Sequence, residues 1–181
     1  AQRREIHSSV ARWYENAPEE DTGSRLARLA YHWRRAGDDA KTLYYSTLAG
    51  EHAMARGATK EAIYFLRAAV KLMEHAQQRR GRSADWLHRV RTRRRLGEAY
   101  ASVSESRLAL EQLLAALGEL GRPFPSGRLG RLGRATLELA RLGLGILGPS
   151  WLRRVPRGEQ RERVEELARI EARLTRARTL G

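Results

Sequence analysis

The chain has 181 residues and is 41% hydrophobic, enough apolar material for one sizeable core and too much for wholesale disorder. It has no cysteine, which excludes a disulfide framework and any thiolate metal site and fits a reducing, cytoplasmic setting. The net charge of +14 favours anionic partners in general and is carried almost wholly by arginine, with Lys41, Lys60 and Lys71 as the only lysines.

Apolar residues recur at helical spacing through almost every stretch, and no alternating strand pattern interrupts them, so the predicted class is all-α. Ile6, Val10, Trp13 and Tyr14 form the first stripe. Leu26, Leu29, Ala30 and Trp33 form the second, which ends near Gly37. Asp38 or Asp39 is placed to cap a third helix carrying Tyr45, Leu48, Ala49 and Ala53, stopped by Gly57. Thr59 opens a fourth, with Ala62, Phe65, Leu66, Ala69, Leu72 and Met73 on one face. The basic run Arg79-Arg80-Gly81-Arg82 breaks the pattern, and Ser83 reopens it with Trp86, Val90, Leu96 and Tyr100 pointing inward. Ser104 is expected to cap a sixth helix carrying Leu108, Ala109, Leu113, Ala116, Leu117 and Leu120. A seventh is expected over about 129–147 and an eighth over about 159–178. All 5 prolines fall between these segments, where a missing N–H and a fixed φ do no harm. No secretory segment opens the chain, and its start at Ala1 reads as that of a piece of a longer protein.

Two small-residue signatures stand out. Leu96-Gly97-x-x-Tyr100 is followed by Ala109, Leu113 and Ala116, with 12 residues from glycine to the first alanine. Gly50 is followed by Ala62, Leu66 and Ala69 at the same interval of 12. Small residues let two antiparallel helices approach, and the larger ones fill the gaps between them. This resembles the tetratricopeptide helical hairpin. The glycines stand 47 residues apart rather than the roughly 34 of a regular array, so the expectation is a degenerate, tetratricopeptide-like α-solenoid of stacked antiparallel hairpins. Residues 1–125 hold the hairpins, and residues 126–181 continue or cap the superhelix.

Catalytic constellations are missing. Gly143-Leu144-Gly145-Ile146-Leu147-Gly148 matches a dinucleotide fingerprint, but a helix precedes it and Pro149 follows, where phosphate binding needs a strand before and a helix start after. His7, His32, His52, His75 and His88 show no metal-ligand spacing, and no cofactor is expected. Glu19-Glu20 and Glu165-Glu166 read as helix-start acids that complement the macrodipole. The tract from Arg79 to Arg95 holds 8 arginines, with Arg89 and Arg93 able to share a face. An alternative function is therefore an arginine-rich helical module for nucleic acid. The apolar stretch over 129–152 carries Arg131, Arg134, Glu138 and Arg141, which rules out a clean membrane span but suits burial or an anionic membrane surface.

Several blocks resemble one family in order. Ile6-His7-Ser8-Ser9-Val10-Ala11-Arg12-Trp13-Tyr14-Glu15 is similar to the helix after the ATPase module of soluble adenylyl-cyclase-like proteins and related bacterial regulators. So are Leu29-Ala30-Tyr31-His32-Trp33, Leu48-Ala49-Gly50-Glu51-His52-Ala53 and Leu120-Gly121-Arg122-Pro123-Phe124-Pro125. In that family a cyclase or kinase domain, a STAND-type ATPase and a tetratricopeptide region share one polypeptide. The resemblance implies a non-enzymatic helical scaffold or sensor, partnered by a protein, a peptide or the parent's own ATPase and effector domains. In tetratricopeptide hairpins the first helix lines the concave groove. That register implies groove positions Tyr44, Thr47, Glu51 and Met54 in one hairpin and Arg91, Arg94, Glu98 and Ala101 in the next. Relatives that clamp a peptide carboxyl terminus have lysine and asparagine where this chain has Thr47 and Glu51. Arg91 and Arg94 favour an acidic segment instead, in cis or in trans.

Overall fold

The computed structural model describes residues 2–17, 21–80, 85–120 and 158–179. These form helices α1 (Gln2–Asn16), α2 (Thr22–Ala36), α3 (Asp39–Ala55), α4 (Thr59–Arg80), α5 (Trp86–Ser102), α6 (Ser106–Glu119) and α7 (Glu159–Thr179), with no strand among the described residues. The all-α class is thereby established. The helix expected over 129–147, the glycine-rich run at 143–148, Glu19-Glu20, Arg82 and Ser83 lie outside the described residues.

Short turns join α2 to α3, α3 to α4 and α5 to α6, and all three close in the same way. In the first, Gly37 takes φ +81°, its N–H donates to Arg34 O at 3.2 Å, and Asp38 N–H reaches back to Trp33 O at 3.2 Å. Gly57 (φ +73°) repeats this pattern, with Ala58 N–H on Ala53 O at 2.9 Å. Such a turn satisfies the last carbonyls of one helix while reversing the chain, and its left-handed residue favours glycine. At the third turn the left-handed residue is Ser104 (φ +62°), with Glu105 N–H on Tyr100 O at 3.0 Å. Ser104 therefore closes α5, and the N-cap of α6 is Glu105, whose side chain makes no cap bond. Asp38 does cap α3, its Oδ1 accepting from Lys41 N–H at 2.9 Å.

Each helix from α1 to α6 packs against the next in sequence; α3 also touches α5, and α7 lies against α5 and α6. Odd-numbered helices therefore meet on one side, while Ala30 of α2 and Phe65 of α4 share an apolar cluster with Ala49. The largest core joins Leu66 and Met73 of α4 to Leu96 and Tyr100 of α5, and a second joins Val90, Leu113 and Leu117 to Ile170 of α7. Both signature glycines sit at close helix crossings. A Cβ on Gly50 would lie 2.7 Å from Leu66 Cγ, and one on Gly97 would lie 2.9 Å from Leu113 Cγ. The first stripe is shifted from its expected face. Ala11 is fully buried and Tyr14 half-buried, whereas Ile6 and Trp13 are 56% and 60% exposed. Among the described residues α1 packs mainly on α2, and α2 covers the line one step, about 100°, round the helix.

Candidate partner-binding site

The arginines of α5 leave the helix in several directions because consecutive positions step about 100° around its axis. Each direction ends on a carboxylate. Arg89 is buried and reaches Glu119 of α6 at 3.0 Å. Arg93, also buried, donates to Glu74 of α4 at 2.9 Å and to Gln112 of α6 at 3.3 Å. Arg95 pairs with Glu51 of α3. Arg91 and Arg94, on the face turned to the C-terminal helix, converge on Glu166 of α7.

That convergence is the most developed polar cluster among the described residues. Glu166 is 1% exposed. Its Oε2 accepts from Arg94 Nε at 2.8 Å, while Oε1 accepts from Arg169 Nη1 at 2.7 Å and Arg91 Nε at 3.4 Å. Arg94 Nη1 also donates to Glu98 at 2.8 Å, and Glu98 receives Arg173 Nε of α7 at 3.1 Å. Glu162 adds a longer contact to Arg91 at 3.9 Å. Burial alone pushes the Glu166 carboxyl up, but the hydrogen bonds and charges of Arg94 and Arg169 outweigh it and hold the group below its ordinary range. Burial likewise pulls the Arg94 guanidinium down, and Glu166 and Glu98 more than reverse that. Glu166 lies two turns inside α7, so it is no helix-start acid. Its partner is an arginine face rather than a macrodipole.

The expected groove positions divide between two situations. Arg91, Arg94 and Glu98 all face α7. In α3, Thr47 is buried, donating its hydroxyl to Leu43 O at 2.9 Å and lying 3.5 Å from His88 Nε2 of α5. Glu51 spans to Arg95, and Met54 packs half-buried against the main core. Tyr44 is 59% exposed, and Ala101 is exposed. The expected packing residues Gly50, Ala62, Leu66, Ala69, Leu96, Gly97, Tyr100, Ala109, Leu113 and Ala116 are all buried. Trp86 is half-buried, with the Arg163 guanidinium of α7 4.6 Å from its ring centroid.

Two polar groupings had no signal in sequence spacing. Glu15 of α1 accepts from Trp33 Nε1 at 3.1 Å, Lys41 Nζ at 3.0 Å and Tyr45 OH at 2.9 Å, tying three helices together. Lys41 Nζ also sits 3.9 Å from the Trp33 ring centroid. Burial raises the Glu15 carboxyl, but these donors leave it below its ordinary range; burial and Glu15 push Tyr45 up to about 12. His7 and His32 meet Nδ1 to Nδ1 at 3.1 Å across α1 and α2. The partners in these clusters lie 18 to 30 residues apart, which no local pattern encodes.

Among the described residues no group of three or more His, Asp or Glu could hold a metal ion, and no helix is long and apolar enough to cross a membrane. Comparison with protein-family models, with curated proteins and with solved structures finds no match.

Proposed function

We propose that this chain is a non-catalytic, tetratricopeptide-like scaffold from the helical sensor region of a bacterial signalling ATPase, and that its α5 face binds an acidic helical segment. The observation that carries the reading is the seating of Glu166 between Arg91 and Arg94. A carboxylate this buried is tolerated only when its charge and lone pairs are matched, so the arginine pair selects for an acid at that point. The chain's own α7 fills the face here; a partner, or another domain of the parent protein, would compete for it with a similar acidic helix. Exchange of one occupant for another would bias the neighbouring ATPase through the difference in their affinities.

The rival reading, nucleic acid on the arginine tract, has less support; the apolar stretch over 129–152, which that reading also offered to an anionic membrane, lies outside the described residues. Phosphate binding needs cations free to replace counterions. The α5 arginines from Arg89 to Arg95 are instead committed to Glu51, Glu74, Glu98, Glu119, Glu162 and Glu166.

The test uses the full chain carrying Glu166→Lys, which places like charges together and evicts α7. In an anisotropy titration it should bind a labelled peptide copy of residues 159–179 at least about tenfold more tightly than the unaltered chain, whose site is filled. Adding Arg91→Glu and Arg94→Glu should abolish that binding. Equal, weak binding by all three chains would sink the groove assignment.

A further inference from the structure

A second surface lies where α2 and α4 meet. A cleft of about 210 Å³ opens between them, floored by Ala27, Ala30, Phe65 and Ala68 and walled by Tyr31 and Tyr64. The floor is small and apolar because three alanines face the single ring of Phe65, which is 8% exposed. The walls stay open to solvent, with Tyr31 43% and Tyr64 54% exposed. The cleft runs on into a second hollow of about 300 Å³ lined by Arg34, Tyr64, Arg67, Ala68 and Lys71. One end is therefore apolar and aromatic, and the other is cationic.

Charge distinguishes this surface from α5. The α5 arginines each meet a carboxylate, whereas Arg34, Arg67 and Lys71 are exposed and make no ion pair among the described residues. No acidic residue lines either hollow. Arg34 is held over the Tyr64 ring, its Cζ 6.0 Å from the centroid, so the guanidinium stands at the junction of the two ends. Three cations with no ion pair among the described residues, beside this apolar floor, are complementary to a ligand that is anionic at one end and apolar at the other.

We propose that the α2–α4 cleft docks an acidic peptide segment bearing one large apolar side chain, which enters between Tyr31 and Tyr64 while flanking carboxylates meet Arg34, Arg67 and Lys71. A nucleic-acid strand would leave the alanine floor unused and would need cations in a longer row than three. A peptide uses both ends at once: the apolar anchor supplies affinity, and the charges supply orientation and encounter rate. This surface shares no residue with the α5–α7 site, so the two readings stand or fall separately.

Anisotropy titrations on the full chain at near-physiological salt test it, with three labelled nine-residue peptides. The first is a phenylalanine flanked by glutamates and aspartates, the second has serine for the phenylalanine, and the third has lysines for the acids. The first should bind, and the other two should bind at least about tenfold more weakly. Arg67→Glu with Lys71→Glu, and separately Tyr64→Ser, should each weaken the first peptide by about tenfold or more; all three positions are exposed, so the fold tolerates the changes. Arg107→Glu, an exposed α6 arginine outside both surfaces, should leave that affinity unchanged. The proposal is overturned if the serine peptide binds equally well, if the α4 variants have no effect, or if single-stranded DNA binds through Arg67 and Lys71 while the acidic peptide does not.

Discussion

Gly97 shows how one missing side chain sets a helix crossing. A Cβ there would meet Leu113 Cγ at 2.9 Å and the Ala109 carbonyl oxygen at 3.2 Å, and Leu113 is itself buried. Alanine gains about 1 kcal/mol of helix propensity, but overpacking costs about 1–3 kcal/mol, so the crossing should decide. We expect Gly97→Ala to lower stability by about 1–2 kcal/mol in urea unfolding. Gly118→Ala, with nothing within 4 Å of its new Cβ, should leave stability unchanged or raise it by a few tenths to about 1 kcal/mol. Ser104 presents the converse case. It holds the left-handed position that Gly37 and Gly57 hold in the sister turns, so Ser104→Gly should stabilise by roughly 1 kcal/mol in the same assay. Tyr45 titrates against its bond to Glu15. A tyrosine held above its ordinary 10 favours the folded state fully below pH 10, and that contribution is lost as pH rises towards about 12. Absorbance titration should therefore contain a tyrosinate step near 12 that Tyr45→Phe removes.

At the scale of elements, α7 is held by one buried carboxylate and a small apolar seam. Glu166 has its pKa lowered in the folded state, so its contribution is present above the ordinary glutamate range and is lost as pH falls through the lowered value. Hydrogen exchange should show the α7 amides losing protection on acidification below the usual glutamate range. In Glu166→Gln that loss should already be present at neutral pH. Ile170, fully buried with Val90, Leu113 and Leu117, supplies the apolar half of the seam. Ile170→Ala should cost about 2–5 kcal/mol of local stability and expose α7 in the same experiment without changing its pH dependence. Protection of α7 that survives both changes would show that other contacts hold it.

Across the whole molecule, contacts run mainly between successive helices, so stability should be local in the manner of a one-dimensional stack. Trp33, 3% exposed in the cluster joining α1 and α2 and bonded to Glu15, lies far along the chain from α7. Trp33→Ala should cost about 3–5 kcal/mol locally. It should open α1 and α2 to exchange while α5, α6 and α7 keep their protection. A uniform loss along the chain would instead mark one cooperative unit. The charge pattern differs between the two surfaces: α5 pairs its arginines with carboxylates of neighbouring helices, and the α2–α4 face leaves Arg34, Arg67 and Lys71 exposed.

Helix class, the starts of α3 and α4, and the glycines at the crossings were legible in the residues, because periodicity, caps and small-residue spacing act within one or two turns. That Arg91, Arg94 and Glu98 share one side of α5 was legible too, since their spacing is helical. What covers that face was not. Glu166 lies 72 residues from Arg94, and only the packing of α7 on α5 and α6 turns a surface carboxylate into a buried one. The shifted face of α1 has the same origin: Ile6 and Trp13 satisfy the apolar pattern, but the position of α2 selects Ala11. Ser104 could be read as a cap because its chemistry suits one, yet the reversal of the chain gave it a left-handed turn. Local free energies of a few tenths to one kcal/mol choose helix and turn. Which charge is buried, and against what, depends on desolvation terms of several kcal/mol that arise only once distant helices meet.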